Sequence, residues 1–187
     1  MSDSSYTQSS TQINEEWILI QKAQKDAVHF RPLYEKYFES IFRFIYKRVA
    51  EEQLSADLTS TTFLKALKKL NSYTFKGVPF SAWLFRIASN EIAYHFRQQQ
   101  KNRIVSIEAK NCEDVLEEYE DRSTLDLNLE LLKKVIELLK PDEVELIELR
   151  FFEKLSFKEI GAVLDITENN AKVKTFRILK KMRKNSE

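Results

Sequence analysis

The chain is 187 residues long, enough for one domain or two small ones, and its formal net charge of +1 hides strong local segregation of sign. Two glycines and three prolines in a composition that is 43% hydrophobic leave few backbone breakers, which predicts a nearly all-helical protein with a real core. The absence of any bilayer-length apolar run, of an apolar signal core and of a second cysteine beside Cys112 argues against membrane insertion, secretion and an internal disulfide, and points to a cytoplasmic chain with neither metal nor other cofactor.

Residues 1–14 are polar and predicted to be a disordered tail. Residues 15–100 read as one helical domain. Phe30, Leu33, Tyr37, Ile41, Phe44 and Ile45 keep helical spacing, as do Phe63, Ala66, Leu67 and Leu70. Asn71, Ser72, Gly77 and Pro79 carry turn chemistry, and a further helix is predicted from about Phe80 to Gln100.

That turn sits inside a basic-aromatic cluster. Tyr73, Phe75, Phe80, Trp83 and Phe85 crowd around Lys76 and Arg86, with Arg97, Lys101 and Arg103 following. Aromatic faces beside cations suit unstacked bases, at about 1–3 kcal/mol per stacked base. Duplex DNA hides those faces, so such a platform implies an opened strand or a flipped base. Phe80, Trp83 and Phe85 fit core packing equally well. Tyr73, Phe75 and Lys76, beside Gly77, are expected on the surface.

Residues 101–126 are acidic. Between Glu108 and Asp121, seven acids face Lys110 alone, and the stretch reads as an extended, flexible linker. Helical periodicity resumes with Leu127, Leu131, Ile136 and Leu139 in a four-helix domain over residues 127–187. Pro141-Asp-Glu starts a helix with proline in the first turn and acids at the positive end of the dipole.

The end of the chain is the most specific part. Ser156 and Glu159 have capping-box spacing, and Ile160, Val163 and Leu164 share a face behind them. Asp165-Ile166 reads as a turn and Thr167 as the next N-cap. Gly161 weakens a helix by about 1 kcal/mol against Ala, and its presence suggests that the second helix crosses closely. In that second helix Ala171, Phe176 or Thr175, Ile178, Leu179 and Met182 alternate with cations. Asn169 to Lys184 holds seven basic residues and no acid. A capped helix pair with this charge suits the DNA major groove; a solvated basic face on a terminal helix is the plain alternative.

A repressor needs only a duplex reader, whereas a promoter-opening factor needs a duplex reader and a single-strand platform. Two other classes stay open: a stand-alone helix-turn-helix regulator, although no dimerising heptad seam is present, and a helical adaptor whose basic tail meets an acidic partner. An enzyme is not expected. There is no phosphate-cradling glycine loop, metal-ligand cluster or nucleophile triad, and Cys112 lies among acids.

The segments Leu33-Tyr-Glu-Lys-Tyr-Phe, Ala56-Asp-Leu-Thr-Ser-Thr-Thr-Phe-Leu-Lys-Ala and Pro79-Phe-Ser-Ala-Trp-Leu-Phe-Arg-Ile-Ala-Ser-Asn resemble conserved region 2 of the extracytoplasmic-function sigma factors. Leu139-Lys-Pro through Arg183 resembles their region 4. The resemblance implies an all-α protein: a region 2 helical bundle and a region 4 helix-turn-helix domain joined by the acidic linker. It implies core RNA polymerase as partner, through the β′ clamp coiled coil and the β subunit, with promoter DNA and an anti-sigma factor. By the same resemblance Asp57, Leu58, Thr62, Phe63 and Lys65 grip the clamp. Tyr73, Phe75 and Lys76 lie in the loop that captures a flipped base of the −10 element. Trp83, Arg86, Asn90, Tyr94 and Arg97 lie on the helix that reads and melts it. Lys172, Val173, Phe176 and Arg177 fall over the −35 element, with Lys174 and Lys180 on phosphate. The chain departs from the family at Ala56, Ser60 and Thr61, where acids and Gln are usual, and at Val173, where a small polar residue is common.

Overall fold

The computed structural model describes residues 10–99 and 139–184. The acidic linker and the periodic run from Leu127 to Ile136 lie outside them. Seven α-helices and no strand occur among the described residues, which divide into two compact units, as the all-α, two-domain expectation requires.

The N-terminal unit begins with α1 (Ser10–Lys25). Residues 10–14, expected in the disordered tail, instead form its first turn. Glu16, Ile20 and Ala23 are buried one or two turns apart and anchor the helix, and extending an anchored helix by a turn is far easier than starting one. A 3-10 turn (Ala27–Phe30) follows, capped by Asp26, whose carboxylate accepts from the Val28 N–H at 3.0 Å, and delivers Phe30 to the core. Helix α2 (Arg31–Val49) has Pro32 in its first turn and buries Leu33, Tyr37, Ile41, Phe44 and Ile45 on one face. It ends where Ala50 turns left-handed (φ 53°).

Helix α3 (Glu52–Lys69) packs on α2 and on α4 (Phe80–Gln99). Its buried side includes Ser55, Thr59 and Thr62. Each hydroxyl donates to the carbonyl four residues back, at 2.6–2.8 Å, so burial leaves no hydroxyl donor unmatched. A 3-10 turn (Leu70–Ser72) breaks α3, and the loop to α4 includes Gly77 at φ 69°, a left-handed position that suits glycine.

A buried carboxylate ties three of these elements together. Glu16 of α1 accepts from Lys36 Nζ (2.7 Å) and the Tyr37 hydroxyl of α2, and from the Phe80 backbone N–H (2.9 Å) at the start of α4. A carboxylate there also meets the positive end of the helix dipole.

The C-terminal unit contains α5 (Pro141–Ile147), α6 (Phe157–Leu164) and α7 (Glu168–Lys184). Helix α5 starts at the proline, as expected, and Glu143 accepts the exposed Lys140 backbone N–H at 2.8 Å. It runs into one turn of π-helix (Glu148–Phe152), closed by a Glu153 N–H to Glu148 carbonyl bond of 3.0 Å. Val144, Leu146, Ile147, Leu149, Phe151, Ile160, Ile178 and Leu179 are among the buried side chains of this C-terminal unit.

Candidate nucleic-acid interface

Local chemistry builds the helix pair as read. Ser156 caps α6: its hydroxyl accepts from the Glu159 N–H (3.3 Å), while Glu159 accepts from the Ser156 N–H (2.8 Å). Asp165 closes the helix in the left-handed region at φ 59°. The turn crosses so closely that a Cβ on Gly161 would stand 2.7 Å from the Ile166 carbonyl oxygen. Thr167 then caps α7, its hydroxyl accepting from the Asn170 N–H at 3.2 Å.

Helix α7 has two distinct sides. Ala171, Thr175, Ile178, Leu179 and Met182 are buried, and Thr175 donates back to the Ala171 carbonyl. Thr175, not Phe176, is therefore the core residue of that pair. Lys172, Val173, Lys174, Phe176, Arg177 and Lys180 are all exposed, Phe176 at 46%. At 100° per residue, five of them span about 140° of the helix and Lys174 stands at the edge. Lys181 is committed elsewhere: its ammonium meets Glu143 of α5 at 2.7 Å and braces α7. Burial raises the Glu143 pKa, but the Lys181 and Lys140 hydrogen bonds outweigh it and hold the carboxyl below the ordinary range.

The second surface lies on α4 and the loop before it. Trp83, Arg86, Asn90, Tyr94 and Arg97 fall within about 80° of one face. Asn90, Tyr94 and Arg97 are exposed, and Trp83 and Arg86 are half-buried. The buried Leu84, Ala88 and Ile92 lie on the opposite side. The strip leads back to the loop, where Lys76 is exposed and Phe75 is half-buried. Tyr73 departs from expectation. It is 8% exposed and packs on Trp17, Phe80 and Trp83, with centroids 6.2, 5.3 and 4.8 Å away. Burial, with the charge of Glu16 adding to it, pushes its phenol up to about 12. Tyr73 is therefore a support beneath the loop and not a surface group. Trp83 packs on Tyr73 and Phe80, with centroids 4.8 and 5.3 Å away, and stays half-buried. Lys101 and Arg103 lie outside the described residues.

The matched regions cover the elements that carry both surfaces. Sigma-70 region 2 matches residues 33–102 and Sigma-70 region 4 matches residues 135–184. The chain is 32% identical to the ECF RNA polymerase sigma factor BldN of Streptomyces coelicolor, over 87% of this chain and 62% of that protein. The chain belongs to the extracytoplasmic-function sigma factors. It is also 28% identical to the ECF RNA polymerase sigma-E factor of Salmonella typhimurium, over 86% of this chain and 88% of that one. Among solved structures, the sigma factor RpoE of Bartonella quintana, in complex with the anti-sigma factor NepR, shares the fold at TM-score 0.57 and 21% identity, over 83% of this chain and 95% of that one.

In this sigma factor the α3 surface differs from the expected clamp-gripping set. Thr62 and Phe63 are buried, at 0% and 4% exposure, because the hydroxyl stripe and Phe63 form the side of α3 that faces the bundle. Phe63 sits among Phe30, Tyr34 and Phe38. Lys65 points to α4, where its ammonium meets both Glu91 oxygens at 2.6 Å. Asp57 is exposed and Leu58 half-buried. The outward side of α3 carries Asp57, Ser60, Leu64 and Lys68, with Leu64 51% exposed. Leu67, expected on the apolar face, is 36% exposed. Sequence reasoning also missed Glu16, Trp17 and Gln24 of α1. One signal was available: Glu16 stands in register with Ile20 and Ala23, and a carboxylate in an apolar stripe marks a buried partner.

Proposed function

We propose that this protein binds core RNA polymerase and directs promoter recognition, DNA melting and the start of transcription, with no catalysis of its own. Helix α7 lies in the major groove of the −35 element. Arg177 contacts a guanine, Val173 and Phe176 meet base edges or methyl groups, and Lys172, Lys174 and Lys180 hold phosphates. Three phosphates neutralised by these lysines give a salt slope of about −2.7 for the upstream contact.

The α4 strip and its loop take the −10 element. Arg86, Asn90 and Arg97 follow the backbone and bases, Tyr94 and Trp83 offer rings, and Phe75 and Lys76 receive the extruded base. The outward side of α3, with Asp57, Ser60 and Leu64 at its centre, is the docking surface for the β′ clamp coiled coil; the β subunit meets the C-terminal unit. An anti-sigma factor that covers these surfaces silences the protein, and its place of action is the cytoplasm.

The observation that carries this reading is the pairing of two chemically different surfaces on one chain. One is a capped cationic helix shaped for duplex; the other is a cation-aromatic strip shaped for unpaired bases. Run-off transcription with purified core polymerase on a library of promoter fragments tests it. Specific transcripts that require the protein support the reading. No protein-dependent transcript from any fragment would end it.

A further inference from the structure

Helix α1 lies outside the residues matched by region 2, which begin at Leu33, yet it makes the contacts that hold the loop. The Gln24 amide donates to two loop carbonyls, those of Leu70 and Tyr73, both at 2.9 Å. The Leu70 carbonyl also closes the 3-10 turn by accepting the Tyr73 N–H at 3.0 Å, and the Tyr73 carbonyl stands just past that turn, where helical backbone partners run out. Trp17 stacks on Phe75, with centroids 5.7 Å apart and planes 24° from parallel. The neighbouring Glu16 holds the far end of the loop through the Phe80 N–H. Both ends of the loop and the ring at its centre are thus tied to one helix.

We infer that Trp17 and Gln24 are positioning residues, which hold Phe75 and Lys76 in the geometry that receives an unpaired base before DNA arrives. The inference rests on the base-capture reading of the loop. Its physical basis is preorganisation. A loop already ordered loses less freedom on binding, so the strand is held more tightly with no new contact to it. The two residues suit this role because they are not the core. Trp17 and Gln24 are both half-buried, while Ile20 and Ala23 of the same helix carry the packing. Phe75 shows one ring face to Trp17, which fixes the direction of the other.

The test uses the full chain bound to core polymerase. The probe is a fluorescent single-stranded oligonucleotide carrying the non-template −10 sequence of a promoter that the holoenzyme transcribes. Trp17→Leu and Gln24→Ala are expected to weaken capture about tenfold, or about 1.4 kcal/mol, with core affinity and −35 duplex affinity unchanged. Gln24→Glu keeps the shape but offers only acceptors to two carbonyls, so it weakens capture at least as much. Gln24→Lys, which can still donate, and Trp17→Phe, which can still stack, restore it. Phe75→Ala and Lys76→Ala test the loop itself. If they lose the oligonucleotide while Trp17→Leu and Gln24→Ala retain it, the positioning role is wrong and base capture stands. If Phe75→Ala and Lys76→Ala also retain it, base capture fails and the positioning role with it. A parallel loss of capture, core affinity and Tm in Gln24→Ala would make Gln24 merely structural and overturn the inference.

Discussion

Replacing Gly161 by alanine sets two effects against each other, and the structure decides the sign. On helix propensity alone the change stabilises α6 by about 1 kcal/mol. The new Cβ, however, would stand 2.7 Å from the Ile166 carbonyl oxygen and 3.3 Å from the Glu168 nitrogen. Both are backbone atoms, so no side chain can swing aside and the turn itself must move. Overpacking against fixed atoms costs about 1–3 kcal/mol, and a contact this short belongs at the upper end. The net effect is a loss of about 2 kcal/mol, which in a unit this small lowers Tm by roughly 8 °C or more. The displaced atoms lead directly into Thr167 and Glu168, so the tilt of α7 changes as well, and −35 duplex affinity falls with stability. Calorimetry on the full chain, with duplex binding followed by anisotropy, measures both. A Gly161→Ala protein that melts higher and binds duplex normally would refute the close-crossing argument.

Three further outcomes follow from the geometry. Arg177→Ala should cost about 1–3 kcal/mol at one base position and relax specificity there, whereas Lys174→Ala should weaken all duplexes alike and reduce the salt slope by about 0.9; competition binding at several salt concentrations separates them. Glu143 has a depressed pKa when folded, so its contribution is complete above about pH 4.3 and fades as pH falls through the folded value. As a partly exposed pair with Lys181 it contributes at most about 1 kcal/mol, and Glu143→Gln should flatten the acid limb of a Tm–pH curve by that amount. Tyr73 is shifted the other way, to about 12, so its stabilising effect is full below pH 10 and lost as pH rises toward 12. Ultraviolet titration should show a late phenol that Tyr73→Phe removes.

Much of the C-terminal site was legible because its determinants are local. Ser156 with Glu159, the Asp165 turn and Thr167 act over three or four residues, and the cations on α7 follow a simple period. Even there, period alone left Thr175 and Phe176 undecided, since adjacent positions lie only 100° apart. The N-terminal site was less legible because it depends on contacts distant in sequence. Gln24 reaches the Tyr73 carbonyl across 49 positions, and nothing in the turn residues announces that tie. Tyr73 looked like a surface ring because it neighbours Gly77 and Lys76; the packing of Trp17 and Trp83 takes it inside. On α3, apolar residues are spread around the helix, so spacing could not say that Phe63 faces in while Leu64 and Leu67 face out. The bundle decides that, through Phe30, Tyr34 and Phe38.

Permanganate probing of unpaired thymines on a linear duplex promoter tests the division of labour most directly. With core polymerase, the protein should produce reactive thymines in the −10 region. Arg177→Ala should reduce complex formation and reactivity together, whereas Phe75→Ala should leave the duplex bound but unopened. A protein that saturates a palindromic duplex without polymerase, and yields no reactive thymine when polymerase is added, would contradict the account.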